Sequence, residues 1–460
     1  MPTASAKNGN SSNAAGPQLT KAELIAKAQK PSEDAMKLHP FYRGKIEVSP
    51  KCCVRDFNDF AIWYSPGVAA PCKDIAKNPE TVYEHTNKAN MVAVVSDGTR
   101  VLGLGDIGAL ASIPVMEGKG LLFKYLGGVD AFPICLDTKD PDEIIRTVEI
   151  LQPCFGGINL EDISQPKCFY ILDELRKRCN IPVWHDDQQG TATVSLAGLL
   201  GALKVVGKRI QDVKIVLFGA GAANIRIGTL YMAAGAKPGN LIYVDSKGTL
   251  HKGRADLQNH KEKWHMCQYT NAGDVRGTVA DALKGADVLS AASTPGPDTI
   301  KKEVISGMNK DAICFLTANP VPEMWPWDAR EMGARIVGTG RSDFPNQVNN
   351  SLGFPGIFRG TLDVRAKTIT NEMCIAAAEE LVKCAEVKGL SDDNIIPKMD
   401  EPDIYARVAV AVGMKAIEQG IARHPMTRDQ LFKLASETIA RARKETQLKM
   451  KAGIIADAPK

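Results

Sequence analysis

No uninterrupted apolar run in this chain reaches the roughly 18 residues that a membrane-crossing helix needs, so no bilayer contact is expected. Neither sign of charge dominates. The 57 basic residues face 53 acidic ones, the net charge is +4, and no basic tract stands out. Nucleic acid is therefore a poor partner. Paired cysteine spacing is missing too. The 11 cysteines are scattered, and the adjacent pair Cys52-Cys53 lacks C-x-x-C geometry. Free thiols in a reducing compartment suit this pattern better than a disulfide framework. Residues 1–20 hold no arginine and no apolar core, which argues against a transit peptide and a secretion signal. Rich in Ser, Asn, Ala and Gly, they read as a disordered tail. The cytoplasm is the expected compartment.

What is present is enough for two to three domains: 460 residues, 44% hydrophobic and 24% charged. After the tail, Lys21–Lys30 and Ser32–Leu38 read as short helices broken by Pro31, followed by a turn-like stretch from His39 to Lys45. Met91–Ser96 reads as a buried strand, and Asp97-Gly98-Thr99-Arg100 as a hairpin turn. Pro114 is expected to open a helix carrying Lys119 and Lys124. Strands at 132–136 and 155–160 flank an amphipathic helix over Pro141–Leu151. This alternation predicts an α/β layer structure. A small-residue helix over Thr191–Val206 leads to strands at 213–218, 241–245, 287–292, 312–316 and 335–338. Right-handed crossovers between them predict a Rossmann-type doubly wound parallel sheet. Three helices follow, near 371–388, 403–420 and 427–449. The expected division is a tail to residue 20, an N-terminal α/β lobe over 21–184, a dinucleotide domain over 185–350 and a helical region over 351–460.

Two acidic pairs stand at the ends of apolar strands: Glu161-Asp162 and Asp186-Asp187. Adjacent carboxylates repel, so they need a cation, a partner or water. With no convergent cysteines and one nearby histidine, Glu161, Asp162 and one or both of Asp186 and Asp187 suit a hard cation, Mg²⁺ or Mn²⁺. Such a cation beside a nicotinamide polarises a substrate oxygen.

The turn Gly219-Ala220-Gly221-Ala222-Ala223-Asn224 lies between a strand and a helix, as dinucleotide binding requires. The helix N-terminus offers free N–H groups to a pyrophosphate. Asn224 stands where a third glycine is usual. Asp245, at the end of the next strand, suits the ribose hydroxyls of NAD, whereas Lys247 suits the phosphate of NADP. The two signals conflict. Lys119, between glycines and close to a helix start and a cation, is a candidate general base. Arg100 has the reach to clamp a carboxylate. Asn319 and Asn349-Asn350 follow sheet strands at their carboxyl ends, and Tyr64 ends an apolar run at a Pro-Gly turn.

Taken in order, these segments resemble malic enzyme, of the compact type found in bacteria, archaea and some protists. The resemblance rests on Tyr64–Ala69, Val101–Gly108, Pro114–Lys119, Ile158–Ile163, His185–Ala192, the Gly219 turn, Ala318-Asn319-Pro320, and Asn349-Asn350 before Phe354-Pro355-Gly356. Ser65 stands where the family usually has threonine. The resemblance implies oxidative decarboxylation of L-malate to pyruvate and CO₂, with NAD or NADP reduced, and a homodimer or homotetramer with Tyr64 near an interface. It implies Glu161, Asp162 and Asp187 as metal ligands and Asp186 as a carboxylate supporting Lys119. Lys119 would take the C2 hydroxyl proton and Tyr64 would protonate C3. Arg100, Asn319 and Asn350 would hold the substrate carboxylates and the nicotinamide side of the cleft. Two alternatives stand beside it. One is a different two-domain dehydrogenase that does not need the metal carboxylates, and the other is a non-catalytic dinucleotide-binding module.

Overall fold

A computed structural model describes residues 21–401 and 403–459, so the expected tail at 1–20 lies outside the described residues. Residues 21–45 belong with residues 457–459 to one compact unit, and Ile46–Ala456 form a second. In the first unit a single helix, Lys21–Tyr42, replaces the two expected, and it takes in part of the stretch read as a turn. Pro31 and Pro40 lie inside it. A proline removes one N–H bond and tends to bend a helix, and here neither effect ends it.

The second unit contains two sheets. Strands β1 (Met91–Ser96), β2 (Asp130–Cys135), β3 (Gly157–Leu160) and β4 (Val183–His185) form a parallel sheet in the order β2-β1-β3-β4. Each strand of the central pair is rich in Val, Ile or Leu and buried along almost its whole length, as a parallel sheet covered on both faces requires. The expected hairpin after β1 does not form. Both edges of β1 are already taken by parallel neighbours, and Val101 meets only Gly105 in a single bridge.

Strands β5 (Ile215–Phe218), β6 (Leu241–Asp245), β7 (Gly248–Thr249), β8 (Val288–Ala291), β9 (Ala312–Leu316) and β10 (Ala334–Thr339) form the second sheet, in the order β10-β9-β8-β5-β6-β7. All its pairs are parallel except β6 with the short β7. The order reverses at β5, which makes the crevice beside β5 and β8 the topological switch point.

The helix Thr191–Val206 forms where expected and connects the sheets. With the preceding turn it makes a 21-residue stretch, Asp186–Val206, long and apolar enough by composition to cross a membrane. The sequence reading missed this because polar residues at its start interrupt the apolar run. Of its most apolar window, 72% is buried inside the fold, so here it serves as core. The helices Asn371–Glu386, Ile404–Glu418 and Arg428–Lys451 follow near their expected positions. A further helix, Phe354–Asp363, is buried throughout and packs Phe354 and Phe358 onto Phe123, with ring centroids at 4.6 and 5.1 Å.

Candidate active site

Parallel pairing decides where the two acidic pairs go. Val95 pairs with Leu160, and Leu160 pairs with His185. The next residues along the chain, Glu161-Asp162 and Asp186-Asp187, therefore leave adjacent strands at the same carboxyl edge. Oxygens of Glu161, Asp162 and Asp187 lie within 4.8 Å of one another. Asp162 has a left-handed backbone, φ 55°. That conformation costs about 1–3 kcal/mol and persists only where neighbours impose it. Here the N–H of Asp162 donates to Asp187 Oδ2 at 2.8 Å, and its carbonyl accepts the N–H of Arg100 at 3.0 Å.

These carboxylates are short of positive charge. Burial first, then the Asp187 charge, pushes Asp162 up to about 8 against the opposing pull of Lys119. Burial raises Glu161 well above the usual carboxylate range, again against Lys119. Asp162 Oδ2 is buried without a hydrogen-bond partner. An all-oxygen set with an orphaned buried oxygen fits a hard divalent cation, Mg²⁺ or Mn²⁺.

Asp186 faces elsewhere. Its Oδ2 accepts Lys119 Nζ at 2.7 Å and its Oδ1 accepts the Trp184 indole N–H at 3.1 Å. Lys119 Nζ also lies 3.1 Å from Glu161 Oε1 and 4.5 Å from the centroid of the Phe354 ring. Lys119 is not near a helix start, as the sequence suggested. The helix runs Gly108–Gly127 with Pro114 inside it, so Lys119 sits past its middle. Its ammonium is not disfavoured either. Burial pulls its pKa down, but the charges of Asp186 and Glu161 outweigh burial and hold it above the ordinary value. His185 is fully buried, both ring nitrogens lack hydrogen-bond partners, and burial lowers its pKa.

Arg100 is exposed, and its backbone N–H bond to Asp162 sets it beside this cluster. The loop after it meets the second sheet, since a Cβ on Gly103 would lie 2.7 Å from both the Asn319 carbonyl and the Pro295 ring. Asn350 also borders the cluster, with its Cβ 3.3 Å from where a Cβ on Gly190 would stand. Asn349 is structural: its Oδ1 accepts the N–H and hydroxyl of Ser351 at 3.0 and 2.7 Å. Tyr64 stands apart. It is 73% exposed, and among the described residues its hydroxyl has no hydrogen bond to the cluster.

The dinucleotide turn leaves β5 at Gly219 and Gly221, and a helix spans Ala222–Ala233. Ala222 and Ala223 begin that helix, their small side chains leaving its N-terminus open. Asn224 secures the turn in place of the third glycine. Its Nδ2 donates to the carbonyls of Phe218 and Gly219 at 2.7 and 2.8 Å, stapling the strand end to the helix. Asp245 is engaged by two cations that sequence reading missed, Arg254 at 2.7 Å and Lys263 at 3.2 Å. Burial would raise its pKa, but the Arg254 hydrogen bond and its other donors hold it below the usual range. Lys247 points to Asp256 at 3.1 Å, and only its backbone N–H reaches Asp245.

Asn159 was also missed. It is fully buried and its Nδ2 donates to Glu161 Oε2 at 2.9 Å. A signal was available: it is the polar residue two positions before Glu161 in a strand, hence on the same face.

The chain matches the family model for the malic enzyme N-terminal domain over residues 43–176, and the one for the malic enzyme NAD binding domain over 188–324 and 334–417. It is 50% identical over 391 residues to a bifunctional malic/malolactic enzyme of Bacillus subtilis, covering 85% of this chain and 94% of that protein. An NADP-dependent malic enzyme of Escherichia coli is 44% identical over 410 residues, 86% of this chain and 53% of that longer protein. The crystal structure of Entamoeba histolytica malic enzyme superposes with a TM-score of 0.93 at 49% identity, covering 96% of this chain and 93% of that one. This chain belongs to the malic enzyme family.

Proposed function

We propose that this protein converts L-malate to pyruvate and CO₂ while reducing NAD or NADP, with Mg²⁺ or Mn²⁺ required. The observation that carries the reading is Lys119, buried between Asp186 and Glu161 at the carboxyl edge where oxygens of Glu161, Asp162 and Asp187 converge. Glu161, Asp162 and Asp187 would hold the cation. Bound there, it supplies Lewis-acid polarisation of the C2 oxygen. A bound NAD or NADP would supply the hydride acceptor.

The chain's own groups do the rest. Once Glu161 is committed to a cation, Lys119 keeps Asp186 as its main partner, and its ammonium loses part of its stabilisation. As the neutral amine, Lys119 accepts the C2 hydroxyl proton and becomes the ammonium. Asp186, fixed by the Trp184 indole, aims Lys119 and balances the charge it gains. Arg100 and Asn350, beside the cluster, bind the substrate carboxylates, and Asn319 holds the nicotinamide side. The turn from Gly219 through Gly221, with Ala222, Ala223 and Asn224, seats the pyrophosphate. Asp245 and Lys247 border the adenosine ribose.

Tyr64 protonates C3 after CO₂ leaves. Its exposure, among exposed Phe57, Phe60, Ile62 and Trp63, supports a homodimer or homotetramer in which this apolar stretch is covered. The same site decarboxylates oxaloacetate. Eleven free cysteines support the cytoplasm as its compartment. The lobes meet at residue 185, with 185–350 as the dinucleotide domain and 351–460 as a helical region, part of which packs back on the catalytic lobes.

The test is malate-dependent formation of reduced nicotinamide with Mn²⁺, run in parallel with NAD and NADP. Activity that survives Glu161→Gln or Asp187→Asn would remove the metal-dependent reading. No activity with either cofactor would leave only a dinucleotide-binding module.

A further inference from the structure

Glu323 follows β9 by seven residues and is fully buried. Its carboxylate spans two loops. Oε1 accepts the backbone N–H of Ser293 at 2.8 Å and the Ser293 hydroxyl at 3.4 Å. Oε2 accepts the backbone N–H of Ala318 at 3.1 Å. Its own carbonyl accepts the N–H of Ile300 at 3.1 Å. The groups with most influence on its ionisation are burial and these donors, with no charged neighbour among them. A lone buried carboxylate is expensive to keep unless hydrogen bonds compensate it. An apolar residue would be cheaper in a purely packing role.

The two loops are not arbitrary. They leave β8 and β9 at the carboxyl edge of the second sheet, on the opposite side of β5 from β6 and Asp245. A dinucleotide with its adenosine half over β6 would cross the switch point and bring its nicotinamide half toward β8 and β9. Ser293 reaches the pyrophosphate turn itself, its Cβ 3.0 Å from where a Cβ on Gly219 would lie. Ala318 directly precedes Asn319, whose carbonyl meets the Gly103 loop of the first sheet.

We propose that Glu323 is a positioning residue for hydride transfer: its carboxylate fixes the distance between the Ser293 and Ala318–Asn319 loops, and so seats the nicotinamide against the substrate's C2. The proposal rests on the malate-oxidation reading above. Only a carboxylate can do this. Glutamine has the same shape, but its NH₂ group would face one of the two N–H donors, so one loop would be released. Aspartate keeps the charge but is one methylene too short to hold both loops equally.

Glu323→Gln and Glu323→Asp are assayed in full-length protein for malate oxidation, with and without deuterium at C2, and for Mn²⁺-dependent oxaloacetate decarboxylation without nicotinamide. Melting temperature is measured alongside. For Glu323→Gln, kcat for malate oxidation should fall roughly 10- to 100-fold, the effect expected of a displacement near 1 Å. The deuterium isotope effect on kcat should rise and oxaloacetate decarboxylation should stay near wild type, while melting temperature falls only by the few degrees that one unpaired buried N–H costs. Glu323→Asp should show a smaller loss of the same kind. A folded Glu323→Gln protein with kcat within about twofold of wild type overturns the proposal. So does an equal loss of both reactions, which marks a general structural role. If the glutamine variant does not fold, the aspartate variant decides by the same two readouts. A wild-type protein that reduces neither cofactor with malate refutes the function itself, a result distinct from either variant outcome.

Discussion

Gly190 lies directly under the carboxylate of Asp186, so close that a Cβ on it would stand 1.9 Å from Oδ1. The glycine is there for the aspartate, not for its own backbone. Any side chain at 190 must displace the group that holds Lys119.

Gly190→Ala should therefore act on catalysis through Asp186. Overpacking at such a site costs about 1–3 kcal/mol of stability. Misplacing Lys119 should lower kcat about 100-fold. Steady-state kinetics and a melting curve check both. A variant with wild-type kcat would show that the Asp186–Lys119 bond is dispensable.

Metal removal should change the sign of a pH dependence. In the folded protein Asp162 is raised to about 8 from an ordinary 3.8. Between these values the folded state binds a proton that the unfolded state does not, so this group's contribution to stability falls as pH rises. Protein stripped with EDTA should melt at a higher temperature near the lower end of this window than near the upper end, as far as Asp162 governs it. With Mn²⁺ in excess the trend should reverse, because protons compete with the cation and its binding releases them. Melting curves at several pH values, with and without Mn²⁺, decide the matter. Parallel trends in the two series would argue against a cation at Asp162.

Asn159 should matter to metal affinity through Glu161. Its amide orients Glu161 through Oε2. Loss of such an outer partner typically costs 10- to 100-fold in metal affinity or activity, so Asn159→Leu should raise the Mn²⁺ requirement by about that factor. The measurement is activity against Mn²⁺ concentration. An unchanged requirement would mean that strand geometry alone sets the Glu161 carboxylate.

Arg254 should govern the choice of cofactor. It neutralises Asp245, whose free charge would repel a 2′-phosphate. Arg254→Ala should lower the ratio of kcat/KM for NADP to that for NAD by roughly tenfold, about 1.4 kcal/mol. An unchanged ratio would place the adenosine ribose away from Asp245.

Much of this site could be read from the chain because its parts are local. Glu161-Asp162 and Asp186-Asp187 each end an apolar strand, and β5 leads straight into the Gly219 turn. The strand and helix positions followed from runs of Val, Ile and Leu between Gly and Pro. What could not be read depends on side-chain partners that only the folded loops bring together. Glu323 and Ser293 are 30 residues apart, and Arg254 reaches Asp245 across β7. Prolines misled in the opposite direction. Pro31 and Pro114 looked like boundaries, yet both lie within helices, and moving the helix start took away the local reason for an unusual Lys119.

The turn Asp186–Gly190 is a π-helix, with the N–H of Thr191 returning to the Asp186 carbonyl. A turn of this kind carries one residue more than an α-helix would use. Deleting any one residue from it would let Thr191–Val206 continue as an ordinary helix. It would also rotate the residues before the deletion by about 100° relative to the helix beyond it. Asp186 and Asp187 could not then serve Lys119 and the metal cluster together. The active site thus depends on a surplus residue as well as on particular side chains. A deletion of one position in this stretch should be far less tolerable than its loop-like sequence suggests.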